Sequence, residues 1–228
     1  MFFPFYDPTW IILLPALILS LWAQSRVNST FRKYSQIRNS FGYTGADVAR
    51  KILDMNGLHL VKIEHVSGNL TDHFDPRTNV VRLSDATYNS QSVGAIGVAA
   101  HEVGHAIQHA TGYSPIRFRN AIVPAVNICN MLSMPILLLG LFFSYTFVMV
   151  GIIMFSATVL FQLVTLPVEF NASRRALNTL EMQNILTGDE IVGASKVLNA
   201  AAMTYVAAAV SSILSLLRLM LVFGNRRD

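Results

Sequence analysis

Residues 92–111 read SVGAIGVAAHEVGHAIQHAT, and what this stretch can hold decides how the rest of the chain is understood. One helix is expected, with Ser92 capping its start and Gly112 ending it. Ala95, Ile96, Val98, Ala99, Ala100, Val103, Ala106 and Ile107 make it small and apolar, hence buried. His101 and His105 are four positions apart, so they lie one turn apart on one face. Two imidazoles so placed can grip one Zn2+ at about 2.0–2.1 Å. Glu102 follows the first ligand and lies near the metal without needing to bind it. It can take a proton from a zinc-bound water and later pass it to a leaving amine. This is the H-E-x-x-H pattern of a zinc peptidase. The bland alternative is a chance match on an ordinary helix. Against it, two imidazoles and a carboxylate on a buried helix are costly unless something pairs with them. Gly104 loses roughly 1 kcal/mol relative to Ala inside a helix. Close approach of another backbone or of a substrate would explain it.

The chain has 228 residues, 53% hydrophobic and only 13% charged, which is a membrane-protein composition. Cys129 is the single cysteine, so neither an intrachain disulfide nor a Cys-based metal site is available. The net charge of +4 comes from Arg and Lys spread near apolar segments, without a dense basic tract. Orientation in a bilayer explains that distribution better than nucleic-acid binding does.

Four membrane spans are expected. Residues 1–23 form the first, with Trp10 and Trp22 near its ends, extended by Phe2, Phe3, Phe5 and Tyr6. Arg26, Arg32, Lys33 and Arg38 follow it, and no Lys or Arg precedes it. The positive-inside rule then places the N-terminus outside and the next domain in the cytoplasm. Arg226 and Arg227, after a fourth span, run against that rule. Residues 24–121 form a small α+β, zincin-like domain. A helix starts at Thr44 with Asp47 as the capping-box acid and stops at Gly57. His59–Val66, Leu70–Phe74 and Val80–Leu83 read as strands, the last two joined by a turn over Asp75–Asn79. An edge of this sheet could pair with extended substrate, or the hairpin could simply cover the core. Residues 122–166 form a transmembrane hairpin, with helices at 122–143 and 147–166 and a turn at Ser144-Tyr145-Thr146. Residues 167–199 form a helical segment, with a helix capped by Asp189, and residues 200–224 form the fourth span. The hairpin returns the chain to the membrane side of His101 and His105. Glu169 stands there, and catalytic zinc generally takes three protein ligands with one open position. Glu169 is therefore the expected third ligand. The fold class is a mostly α membrane protein, four transmembrane helices with a small domain carrying HEVGH.

Four blocks also resemble one family. They are Thr71–Ser84 (TDHFDPRTNVVRLS), Val98–His109 (VAAHEVGHAIQH), Leu166–Ala176 (LPVEFNASRRA) and Val197–Ala209 (VLNAAAMTYVAAA). Together they are similar to the YugP-like membrane zinc metallopeptidases over nearly the whole chain. The resemblance implies a gluzincin-type fold and a distant likeness to CAAX-processing and heat-shock membrane peptidases. Carried across, His101, His105 and Glu169 match the zinc ligands and Glu102 matches the catalytic acid/base. The distant relatives commonly place an Asp where Ser173 stands, so Ser173 would orient a ligand histidine more weakly.

Other residues weigh less. His109 would sit about 6 Å further along an unbroken helix, away from the metal centre. His73, beside the turn, is a candidate for stabilising a tetrahedral oxyanion. Tyr205 and Tyr88 are lesser candidates for the same role. Asn171 suits packing or capping, and His59 and His65 read as surface residues.

The expected function is an integral-membrane zinc endopeptidase, using zinc-activated water in quality control of membrane proteins or peptides. The competing class is a membrane scaffold or chaperone-like partner with structural zinc, which would need a fourth, closing ligand. The expected partners are the bilayer, membrane protein or peptide substrates, and a regulatory membrane protein or a second copy of the chain.

Overall fold

Short-range signals set the first elements of the polar part. The Asp47 N–H donates to Thr44 Oγ1 at 3.1 Å, and the Thr44 N–H donates to Asp47 Oδ2 at 2.9 Å. This reciprocal pair satisfies donors that a helix start leaves open. The computed structural model describes residues 8–223. After a 3-10 turn, Pro8–Leu13, α1 spans Leu14–Tyr34 and α2 spans Gly45–Met55. Three strands follow: β1 Lys62–Val66, β2 His73–Asp75 and β3 Val80–Ser84. Then come α3 Val93–Ala110, α4 Ser114–Phe142, α5 Tyr145–Met182 and α6 Asp189–Phe223. Phe2, Phe3, Phe5, Tyr6, Arg226 and Arg227 lie outside the described residues.

The chain is mostly helical, with one three-stranded sheet in the order β1-β3-β2. β2 and β3 form the expected antiparallel hairpin, with Phe74 opposite Val81. β1 runs parallel to β3. Two strands start later than expected. Gly57 has φ +71°, and the Val61 N–H closes a turn on Leu58 O, so His59–Val61 is not extended. Leu70 has φ +55°, outside the β region, which delays β2 to His73.

Two compact units emerge. One gathers the described parts of Met1–Ala23, Phe118–Leu166 and Thr204–Asp228, the other Gln24–Arg117 and Pro167–Met203. In the second unit α3 is the centre of the core. Val93, Ile96, Ala99, Ala100 and Val103 pack with Ile52 and Leu53 of α2, Val81 and Leu83 of β3, Leu180 of α5 and Val197 of α6. In the first unit, Leu137, Val148 and Ile152 form a small buried cluster with Leu216 and Leu219 against it. A Cβ on Gly140 would meet Val148 N at 2.6 Å, so α4 and α5 touch backbone to backbone just before their turn. Small residues permit this approach where no hydrophobic drive holds apolar helices together. Asn130 and Thr158 hydrogen-bond across the same hairpin.

Four helical stretches are long and apolar enough to cross a membrane: Pro8–Tyr34, Ser114–Phe142, Tyr145–Met182 and Asp189–Phe223. Large apolar side chains such as Ile18, Leu21, Met131 and Ile153 are exposed on them. Lipid is the solvent that such surfaces require.

The helices are longer than the charge pattern suggested. α4 begins at Ser114 rather than near 122, with Pro115 in its first turn, where proline costs no intrahelical hydrogen bond. The hairpin turn is shorter than expected, since α5 already includes Tyr145 and Thr146, and the Thr146 N–H donates to Ser144 Oγ at 3.2 Å. α5 does not end at Leu166. It continues through Pro167 to Met182, although an internal proline removes a hydrogen bond. Val168, Ala172, Ala176 and Leu180 lie four apart and are buried, so core packing carries the helix on. The break comes at residues 183–188, where Asn184 (φ +49°) and Gly188 (φ +54°) take left-handed conformations. Asp189 is the first residue of α6 rather than its cap, and Glu190 Oε2 accepts the Thr187 N–H.

The hairpin turn is pinned by Asp75. Its carboxylate accepts the Thr78 hydroxyl at 2.7 Å, the Arg77 N–H at 2.9 Å and Arg82 Nη1 at 3.2 Å. These donors, the Thr78 hydroxyl foremost, hold its pKa well below the usual carboxylate range. A depressed folded pKa adds stability above the unfolded value, and that stability is lost as pH falls through the folded value. Asp75→Asn should therefore weaken protection of residues 73–82 against hydrogen exchange near neutral pH. The gap from the wild-type chain should close progressively below about pH 4. An equal gap across that range would contradict the assignment.

Candidate metal centre

α3 has the limits its sequence foretells. Ser92 Oγ accepts the Ala95 N–H at 3.2 Å, and Gly112 takes φ +64° after the last turn. Gly104 has a concrete reason. A Cβ there would lie 2.8 Å from the Ala172 carbonyl oxygen of α5, so another backbone occupies the space. This contact sets the α5 residues around Ala172 against the histidine face of α3.

Glu169 comes to both histidines. Its Oε2 lies 3.3 Å from His101 Nε2 and 3.5 Å from His105 Nε2. The two imidazole rings are nearly perpendicular, with centroids 4.7 Å apart. One donor atom from each of the three residues lies within 4.8 Å of the others, a spacing that could hold a metal ion. The side chains are 13%, 11% and 4% exposed for His101, His105 and Glu169, so the site is sheltered without being sealed at His101.

The other ring nitrogens are occupied. His101 Nδ1 lies 3.1 Å from Ser173 Oγ, and His105 Nδ1 lies 3.0 Å from Gln108 Oε1. Gln108 Nε2 donates to Val168 O at 2.8 Å and to Asn171 Oδ1 at 3.0 Å. A backbone carbonyl can only accept, which fixes the amide orientation and makes Oε1 an acceptor toward His105. His105 must then donate from Nδ1, which in the neutral ring leaves the Nε2 lone pair toward Glu169. Holding one ring nitrogen so that the other can bind is how metal-ligating histidines are oriented. Burial pushes the His105 pKa down, but the neighbouring carboxylates of Glu169 and Glu102 hold it above the usual imidazole value. The pocket thus favours positive charge. Two imidazole nitrogens and a carboxylate oxygen are also a donor set that suits zinc.

Glu102 is buried on α3 between the two histidines in sequence, and it has no hydrogen-bond partner among the described residues. His73 is exposed on β2, with Nδ1 2.9 Å from Thr71 O, and it lies outside the three-residue cluster. His109 is also outside the cluster, its ring 5.9 Å from that of Phe74. Tyr88 packs edge-on against His65, which is paired with Asp85 at 2.6 Å. His59 pairs with Asp54 on the surface at 2.9 Å. Tyr205 lies in α6 and is half-buried. Asn171, expected to pack or cap, instead accepts from Gln108 Nε2 and from Arg175 Nε, the latter at 2.8 Å. Sequence reasoning passed over Gln108 and Arg175. The signal for Gln108 was its place three residues after His105, on the same helix face.

The Gly104 contact gives a test. Gly104→Ala should force α3 and α5 apart, with a loss of roughly 1–3 kcal/mol typical of overpacking. Thermal unfolding of the chain in detergent should show a lowered midpoint, and zinc retained after dialysis should fall with it. An unchanged midpoint would mean the two backbones are not in contact.

No solved structure matches the chain. The family model described as "Putative neutral zinc metallopeptidase" matches residues 9–224. The chain is 51% identical over 215 residues to the "Putative membrane protease YugP" of Bacillus subtilis (strain 168), covering 93% of this chain and 95% of that protein. With four apolar helices and a match spanning nearly its full length, the chain is a membrane protein that belongs to this zinc metallopeptidase family.

Proposed function

We propose that the chain is an integral-membrane zinc endopeptidase. Its polar unit acts as a gluzincin-type domain, with His101, His105 and Glu169 as the zinc ligands and Glu102 as the acid/base. The observation that carries this reading is the convergence of both Nε2 atoms on Glu169 Oε2, with each Nδ1 already engaged elsewhere. Three protein ligands with no fourth His, Cys or carboxylate in the group, among the described residues, favour a catalytic over a structural site.

When bound there, zinc supplies Lewis-acid chemistry, polarising a peptide carbonyl and making water acidic near neutral pH. Glu102 takes the proton of the attacking water and passes it to the departing amine. It suits this task because no hydrogen bond among the described residues competes for its carboxylate. The low exposure around Glu169 and His105 limits bulk water and strengthens each electrostatic contact. Ser173 and Gln108 keep the imidazoles from rotating. His73, exposed on β2 outside the three-residue cluster, remains the candidate for stabilising the tetrahedral oxyanion.

Substrate would lie extended, and β2 is an edge strand able to pair with it. β2 also runs beside α3, since its Phe74 ring packs against His109. Membrane proteins or peptides presented near the bilayer are the expected class, in a quality-control role. Arg26, Arg32, Lys33 and Arg38 after the first span favour an active site on the cytoplasmic side.

The test uses the full chain reconstituted in liposomes with an unfolded membrane substrate. Glu102→Gln should retain zinc while cleavage falls by about 10²–10⁴-fold, the usual range for a lost general base. A chelator should abolish wild-type cleavage, and zinc should restore it. Undiminished cleavage by the Glu102→Gln variant would defeat the reading.

A further inference from the structure

Gln108 is the one fully buried amide, among the described residues, that joins the two elements of the site. Its side chain is 0% exposed, and it uses both of its ends. Oε1 meets His105 Nδ1, and Nε2 meets Val168 O and Asn171 Oδ1. Val168 immediately precedes Glu169, so the amide holds the α5 backbone next to the ligand carboxylate. One side chain thereby fixes the tautomer of one ligand and the axial position of the segment that carries another.

The far side of this amide is itself braced. Asn171 Oδ1 accepts from Gln108 and from Arg175, so the Asn171 carbonyl cannot turn away without losing two donors. The Arg175 guanidinium in turn lies 5.8 Å from the Tyr113 ring centroid, beyond the end of α3. A chain of polar contacts thus runs from His105 through Gln108 and Asn171 to Arg175, and returns to the α3 side at Tyr113. His101 has only a serine hydroxyl at its Nδ1, which can donate or accept and so fixes no tautomer by itself. The two ligand histidines are therefore held unequally, with His105 the firmer.

We propose that Gln108 is a positioning residue for the metal centre, registering His105 against Glu169, with Asn171 and Arg175 locking its amide. This deepens the zinc-peptidase reading and rests on it for the identity of the metal. Removing the amide should loosen two ligands at once. Loss of a hydrogen-bond partner behind a metal ligand typically weakens metal affinity by about 10–100-fold. Gln108→Met keeps the length and volume of the side chain and removes both hydrogen-bonding ends. Ser173→Ala removes only the partner of His101 and should have a smaller effect.

The experiment measures zinc affinity by chelator competition on the full chain in detergent, beside the visible spectrum of the Co2+-loaded protein. Gln108→Met should bind zinc about 10–100-fold more weakly, with shifted Co2+ bands and a larger loss than Ser173→Ala. Excess zinc should restore much of the cleavage. Wild-type affinity and an unaltered Co2+ spectrum in Gln108→Met would overturn the proposal. If that variant does not fold, Asn171→Ala decides. It leaves Gln108 one acceptor short, and it should weaken zinc binding several-fold; wild-type affinity there would overturn the proposal. Should zinc affinity fall as expected while the wild-type chain cleaves nothing, the positioning role stands and the peptidase reading fails.

Discussion

The centre of this protein depends on a backbone contact between two helices. A Cβ at Gly104 would sit 2.8 Å from the Ala172 carbonyl, so α3 and α5 pack with nothing between them at that point. Every other feature of the site follows from this proximity. A carboxylate is a short ligand, and Glu169 reaches two imidazoles only because its helix axis lies this close. Two buried polar groups and a third largely sheltered one would ordinarily be a liability. Here they face one another, with outer nitrogens engaged by Ser173 and Gln108, and the remaining donor atoms converge within 4.8 Å. A cation held among them would offset that cost.

The carriers of these groups differ in character. α3 is a buried helix of small residues, held in the core by Val93, Ile96 and Val103. α5 is a long apolar helix whose later part carries Val168, Ala172, Ala176 and Leu180 into that core. Pro167 lies between the apolar stretch and Glu169. The helix tolerates it, since four buried contacts at a spacing of four residues outweigh one missing hydrogen bond. Glu169 is therefore positioned by a rigid helix rather than by a loop, which holds its carboxylate more precisely against α3.

The sheet does quieter work. β3 packs Val81 and Leu83 against α3, and the β2–β3 turn is tied by Asp75 to Thr78, Arg77 and Arg82. This leaves β1 and β2 as edges. Phe74 on β2 meets His109 on α3, which keeps that edge alongside the site helix.

Much was legible in the amino-acid sequence because it is local. The four-residue spacing of His101 and His105 places them on one face of any helix. Ser92 and Gly112 limit that helix, the Thr44–Asp47 pair starts another, and the apolar runs foretell helices that suit a bilayer. That Glu169 follows the hairpin, and so could be brought back toward His101 and His105, was also readable. What the chain alone could not give was distance. That Glu169 Oε2 lies near both imidazoles, that Gln108 bridges α3 to Val168 O, and that α5 runs unbroken past Pro167 all depend on contacts between residues some sixty or more positions apart. A periodic pattern states which face a side chain occupies. Only packed neighbours decide which other face it meets, because burial energy and the loss of a Cβ at Gly104 act across space rather than along the chain.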